Sequence, residues 1–81
     1  MRIMPTIYEE AGFRFSFVSA DNIEPPHVHV EGSSGAAKIW LKNVQLEWSR
    51  GLTRLEVKRI INIVRTNQKL MLDAWNEYFG E

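Results

Sequence analysis

The 81-residue chain carries ten basic and ten acidic residues, and this balance excludes a global field that would draw it to nucleic acid or membrane. Cysteine is absent, which excludes disulfides and thiolate zinc sites. Hydrophobic residues make up 44% of the chain, enough for a folded core, but no apolar run reaches the about 20 residues that span a bilayer. We therefore expect one globular domain over residues 1–81, located in the cytoplasm and without a membrane partner.

Residues 1–49 predict short strands separated by turns. A strand over residues 3–8 contains Pro5, which suits the edge of a sheet because proline cannot donate a backbone hydrogen bond. The clearest strand covers residues 12–20, where phenylalanines alternate with other side chains. Phenylalanines at this spacing are typical of the buried face of a sheet, although RNA-binding sheets use the same spacing to stack bases.

Residues 25–31 read Pro-Pro-His-Val-His-Val-Glu and contain the only two histidines of the chain. The prolines require an extended entry, so a strand can start only after them. On that strand the two valines point to one face of the sheet, and His27, His29 and Glu31 point to the other, with neighbours about 7 Å apart. We predict that the valines belong to the core and that the imidazoles and the carboxylate lie on an open face.

Two further strands are predicted over residues 36–42 and 44–48, after a glycine- and serine-rich turn whose composition indicates flexibility. In the last strand the alternation assigns Val44, Leu46 and Trp48 to the core. The open face then collects the alternate residues of all the strands: Arg14, Ser16, His27, His29, Glu31, Lys38, Trp40, Lys42, Gln45 and Glu47.

The last third of the chain, residues 53–79, predicts helix. Thr53 followed three residues later by Glu56 is a capping-box signature, in which each side chain accepts a hydrogen bond from the backbone amide of the other residue. Gly80 is suited to end the helix. An apolar stripe with one polar interruption recurs at three- and four-residue spacing: Val57, Ile60, Ile61, Val64, Gln68, Met71, Trp75 and Tyr78.

Three apolar residues, Leu55, Ile63 and Leu70, lie off this stripe on an ideal helical wheel. Either the helix breaks near Thr66, where Asn67 caps a second segment, or a second apolar face meets another chain. A second copy of this chain, forming a homo-oligomer, is one such partner. The pattern leaves both open. The predicted fold class is α+β, a four- or five-stranded antiparallel meander with one face covered by a C-terminal helix or helix pair.

The histidine strand has three interpretations. His27 and His29, with Glu31 as a third ligand, form a donor set that a divalent metal such as zinc accepts, although no cofactor is required by the sequence. Alternatively, one histidine acts as general base and the other as general acid in phosphodiester cleavage, with Lys38 or Arg14 stabilising the developing charge. In the third interpretation the histidines are purely structural and belong to a binding module. No nucleophile elbow or phosphate-binding glycine loop accompanies them.

A separate binding surface is predicted from the charges of the helical region. Residues 50–69 contain six basic residues and one acid, an excess that opposes the helix macrodipole and is therefore not explained by helix stability. On a continuous helix, four of these bases lie within a sector of about 60° beside the apolar stripe. Together with two residues of the open sheet face, they are the candidate contacts for a partner protein or nucleic acid: Arg54, Lys58, Arg65, Lys69, Trp40 and Lys38.

Three motifs of this chain also resemble those of a known family. They are MPTI at residues 4–7, PPHVHV at residues 25–30 and LMLDAW at residues 70–75. In these motifs, in the strand-rich first half and in the late helix, the sequence resembles the small bacterial family called domain of unknown function 4160. The resemblance covers nearly the whole chain, and the histidine strip is its most specific part.

The resemblance implies partners more than chemistry. Genes of this family commonly lie beside those of a second small family, in pairs that look like toxin and antitoxin modules. This implies a protein partner encoded nearby and allows nucleic acid as a second partner. No established catalytic residues carry over to His27 or His29. We therefore expect an interaction protein, with a histidine-dependent ribonuclease or metal-assisted hydrolase as the alternative.

Overall fold

The computed structural model describes residues 6–18 and 23–80. Within them, five strands form one antiparallel sheet in which each strand pairs with the next in sequence, and two helices follow. The predicted α+β class and the antiparallel meander are confirmed, and so is the pair of C-terminal helices. The elements are β1 (Tyr8–Glu10), β2 (Phe13–Ser16), β3 (His27–Glu31), β4 (Ala36–Trp40), β5 (Gln45–Arg50), α1 (Arg54–Thr66) and α2 (Gln68–Phe79).

The first two strands are shorter than the sequence pattern indicated. β1 begins only at Tyr8, and the start of the strand predicted over residues 3–8 lies outside the described residues. Likewise, part of the strand predicted over residues 12–20 lies outside them. Ala11 and Gly12 join β1 to β2 with positive φ angles of 56° and 82°. Two consecutive positive φ angles are those of a type I′ turn, whose twist matches a tight antiparallel hairpin.

The core lies between one face of the sheet and the two helices. Directly paired residues share a face, so Phe15, Val30 and Ala37 form a continuous apolar row across β2, β3 and β4. Both helices contribute side chains to this layer, as predicted. The buried cluster is Phe13, Phe15, Phe17, Val28, Val30, Ala37, Ile39, Leu41, Ile60, Ile63, Val64, Met71 and Trp75.

The helical region contains a break at Asn67, which confirms the first of the two alternatives left open by the stripe. Of the three apolar residues off the ideal stripe, Ile63 is buried, whereas Leu55 and Leu70 are exposed. Asn67 does not cap α2 with its side chain; its Nδ2 atom donates to the Ile63 carbonyl at 2.8 Å. The Gln68 side chain donates from Nε2 to the Leu41 carbonyl at 2.7 Å, which explains the polar interruption of the stripe.

The start and the end of the helical region agree with the sequence. Thr53 Oγ1 accepts from the Glu56 amide at 3.1 Å, and the Glu56 carboxylate accepts from the Thr53 amide at 2.8 Å, so the capping box is complete. These bonds hold the pKa of Glu56 below its ordinary value, chiefly through the Thr53 backbone amide. Gly80 ends α2 with φ 76°, in the left-handed region.

The last strand departs from the prediction. Val44 is not part of a strand; it closes the β4–β5 turn at φ 50°, a rare conformation for a β-branched residue. A register shift between Lys38 and Ile39 then pairs Leu46 with Ile39 but Trp48 with Lys38. This β-bulge places Trp48 on the open face, so assigning Trp48 and Leu46 to one core face was wrong.

The turn between β3 and β4 is held tightly, contrary to the flexibility that its composition indicated. The Gly32 amide donates to the Gly35 carbonyl at 2.9 Å. A Cβ atom on Gly35 would collide with the Arg50 carbonyl, and one on Gly51 would collide with the Ser34 carbonyl. The turn therefore packs backbone against backbone on the end of β5, an approach that only glycine permits.

Candidate functional site

The two histidines of β3 have different environments. His27 has no exposed surface at all, whereas His29 is only partly buried and Glu31 is exposed. The prediction of a row of three polar side chains on an open face is therefore wrong at its first position. The reason is that β3 begins at the end of the sheet, where the Trp75 ring of α2 lies with its centroid 5.3 Å from that of His27.

His27 is enclosed by aromatic rings and anchored by its own loop. Its ring centroid lies 5.3 Å from those of Trp40 and of His29, both edge-on. Its Nδ1 atom lies 2.9 Å from the Pro25 carbonyl oxygen, so Nδ1 carries the proton of this hydrogen bond. The His27 ring thus holds the Pro25-Pro26 segment against the start of β3.

A carboxylate from the preceding loop connects His27 to the open face. Glu24 Oε1 lies 3.8 Å from His27 Nε2 and 2.8 Å from Lys38 Nζ. The Lys38 side chain is only 13% exposed, and its ammonium lies 4.7 Å from the centre of the Trp40 ring. The Trp40 indole then donates to Glu47 at 2.8 Å. Lys38 and Trp40, which were predicted to contact a partner, are engaged in this network.

The arrangement bears on the catalytic and metal interpretations. General acid–base catalysis requires contact with the substrate, and a ring with no exposed surface does not provide it, so the burial of His27 argues against this role. Within residues 6–18 and 23–80, no three histidine, aspartate or glutamate side chains are placed to hold a metal ion. Glu31 instead pairs with Arg14 at 2.9 Å.

The open face contains a groove of about 180 Å³ beside His29. Trp48 forms one wall, and the Arg50 guanidinium lies 5.1 Å from the centre of the Trp48 ring. Neither Trp48 nor Arg50 was predicted to lie on this face. The signal that places them here is the β-bulge, which no local sequence pattern revealed. The lining of the groove includes Ser16, His29, Glu31, Ala36, Trp48 and Arg50.

The four bases that were predicted to lie in one sector of a continuous helix are divided between the two helices. Arg54, Lys58 and Arg65 lie within a sector of about 40° on α1 at 100° per residue, and all three are exposed. Lys69 lies on α2, beyond the break, and pairs with Asp73 at 2.9 Å. We call the solvent side of α1 that carries Arg54, Lys58, Arg59 and Arg65 the basic face.

The basic face has one acidic side chain near it: beyond the Thr53 backbone amide, the charge of Arg59 also helps to lower the pKa of Glu56. The one acid of α1, Glu56, is turned back into the capping box and also accepts from Ser34 Oγ at 3.3 Å. None of the four bases forms a salt bridge with any residue in the described part of the chain. The chain is neutral overall, so this face is a local concentration of positive charge rather than a reflection of composition.

Comparison with known proteins gives a family but no activity. No curated protein and no solved structure matches the chain. No helix among the described residues is long and apolar enough to cross a membrane. A family model with the description "Domain of unknown function (DUF4160)" matches residues 12–76, which include β2 to β5, α1 and most of α2. The chain therefore belongs to the family of this domain of unknown function, DUF4160.

Proposed function

We propose that this chain is a small cytoplasmic interaction protein, one component of a toxin–antitoxin-like pair of neighbouring genes. In this proposal it binds its partner protein, or nucleic acid, through the basic face of α1. The observation that carries the proposal is the set of four exposed bases on one helix without a salt bridge among the described residues. An acidic surface or a phosphate backbone supplies the missing opposite charge.

The position of these charges supports a binding role over a stabilising one. Arg54 is the first residue of α1, and Lys58 and Arg59 follow one turn later, near the positive end of the helix dipole. A base in the first turn, as at Arg54, is unfavourable by about 0.3–1 kcal/mol at low ionic strength, and the effect is smaller at Lys58 and Arg59 in the second turn. An acid at position 54 would stabilise the free helix more than a base does, so an external negative partner is a reason for the base there.

The test is co-purification of the chain with the product of the neighbouring gene, followed by analysis of the complex for nucleic acid. The informative variant is Arg54→Glu with Lys58→Glu. Because this change removes unfavourable helix-dipole interactions, the variant is expected to remain folded. We expect it to lose partner binding, with wild-type binding weakening as salt is raised.

A matched control is Lys42→Glu with Lys69→Glu, which changes the net charge by the same amount at exposed sites away from α1. Binding should survive in this control. If both variants bind equally well, the basic face is not the contact surface. Nucleic acid in the purified complex, with a steep loss of binding in salt, would identify phosphate as the ligand; its absence would identify the protein partner.

A further inference from the structure

We propose that β5 pairs antiparallel with β5 of a second copy of this chain, with a two-fold axis at Ser49, so that one sheet continues through both copies. β5 is an edge strand whose only neighbour in the sheet of the described residues is β4. All six of its residues are exposed, and it is the longest strand of the sheet. An edge of this length offers a row of backbone groups to another strand.

The two edges of the sheet differ in how they are protected. β1 has three residues, and two of them are the exposed acids Glu9 and Glu10, features that discourage strand pairing. The charges of β5 are instead turned over the sheet. Glu47 accepts from the Trp40 indole at 2.8 Å, and Arg50 lies over its own Trp48 at 5.1 Å. These contacts draw the charged groups onto the face and away from the edge.

The exposed apolar side chains of β5 point to both faces of the sheet. Leu46 is 37% exposed and pairs with Ile39 on the core side, whereas Trp48 is 36% exposed and pairs with Lys38 on the open side. A molecule bound on one face would cover only one of them. A strand added at the edge covers both, because its side chains alternate between the two faces.

A second copy, rather than a different strand, is indicated by the self-complementarity of the sequence around Ser49. An axis at Ser49 places Trp48 of each copy opposite Arg50 of the other on the open face, and so extends the existing cation–π contact across the axis. An axis at Arg50 would oppose two guanidinium groups. An axis at Trp48 would oppose Arg50 to Leu46, which faces the other side of the sheet.

The experiment is sedimentation equilibrium of the whole chain over a concentration series, with substitutions at Ser49. Ser49 is exposed and lies on the proposed axis, so any charge placed there meets the same charge on the other copy. We expect a wild-type dimer and monomeric Ser49→Lys and Ser49→Glu variants. An equimolar mixture of the two variants should form a heterodimer, because the charges across the axis are then opposite.

The mixing result separates a lost interface from a damaged fold, since misfolded variants would not recover on mixing. A Glu9→Lys substitution on the other edge is the control and should remain dimeric. A monomeric wild type, a dimeric Ser49→Lys variant or a mixture that stays monomeric would each overturn the proposal. The Arg54→Glu, Lys58→Glu variant should also remain dimeric, so this outcome is independent of partner binding through α1.

Discussion

The two ends of the β3–β4 hairpin are held by different interactions. At one end His27 pairs with Trp40, and the helix residue Trp75 covers the histidine ring. At the other end, Glu31 and Ala36 lead into a turn that lies against the backbone of β5. The first end is closed by aromatic side chains, whereas the second is held by glycine backbone and leaves its side chains on an open face.

This difference separates two residues that the sequence presents as a pair. His27 and His29 point to the same side of one strand, yet only the first is covered by α2. The histidine motif is therefore half a core element and half a surface element. The variants below test that division, beginning with the closed end.

Trp75→Ala should have the largest effect, because it removes the ring that closes the His27 end. The indole contacts the rings of Phe17 and Phe79 as well, with centroids 5.2 Å and 4.3 Å away. We expect a loss of about 4 kcal/mol in the free energy of unfolding, a large share of the about 5–15 kcal/mol that is typical of native domains. Urea unfolding followed by circular dichroism measures it, and a loss below about 1 kcal/mol would contradict a closed end.

Gly35→Ala tests the backbone contact at the other end of the hairpin. The added methyl group would collide with the Arg50 carbonyl, so we expect a loss of about 3 kcal/mol. Gly12→Ala is the matched control: it has a positive φ of 82° but no atom within 4 Å of the added Cβ, and about 1 kcal/mol is expected. Equal effects in urea unfolding would show that strain, rather than the close approach, governs both sites.

His27→Ala is expected to lower the free energy of unfolding by about 2 kcal/mol, because it opens a cavity and breaks the bond to the Pro25 carbonyl. His27→Phe restores a ring without that donor and should recover part of the loss. Thermal and urea unfolding of both variants provide the measurement. If His27→Ala is as stable as the wild type, the ring is not a structural element.

His29→Ala should have the smallest effect, at most about 1 kcal/mol, because its partly buried ring faces the groove of the open side. The same unfolding assay applies. A loss as large as that of His27→Ala would remove the distinction between the two ends. Loss of partner binding at unchanged stability would assign His29 to a binding surface.

Much of the fold was predictable because it depends on local rules. The capping box at Thr53, the glycine at the end of α2 and the alternation of phenylalanines and valines were read directly from residue spacing. The helix break was one of two open alternatives, because the polar interruption of the stripe at Gln68 is compatible with both of them. Only the contact from Gln68 to the Leu41 carbonyl explains that interruption.

The candidate surfaces were less predictable. Trp48 was assigned to the wrong face because a β-bulge changes the phase of a strand without a signal in the strand itself. The row of four bases required a continuous helix and lost Lys69 at the break. The excess of bases in residues 50–69 did indicate the basic face, although the chain is neutral overall.

The sequence by itself determined the order of the elements, the α+β class and the valine side of the histidine strand, because these follow from periodicity, capping and proline geometry. Only the tertiary structure decided that His27 is buried and His29 is not, and that Trp48 joins the open face. Burial depends on what packs over a residue from a distant part of the chain. For His27 that residue is Trp75, far along the sequence on α2.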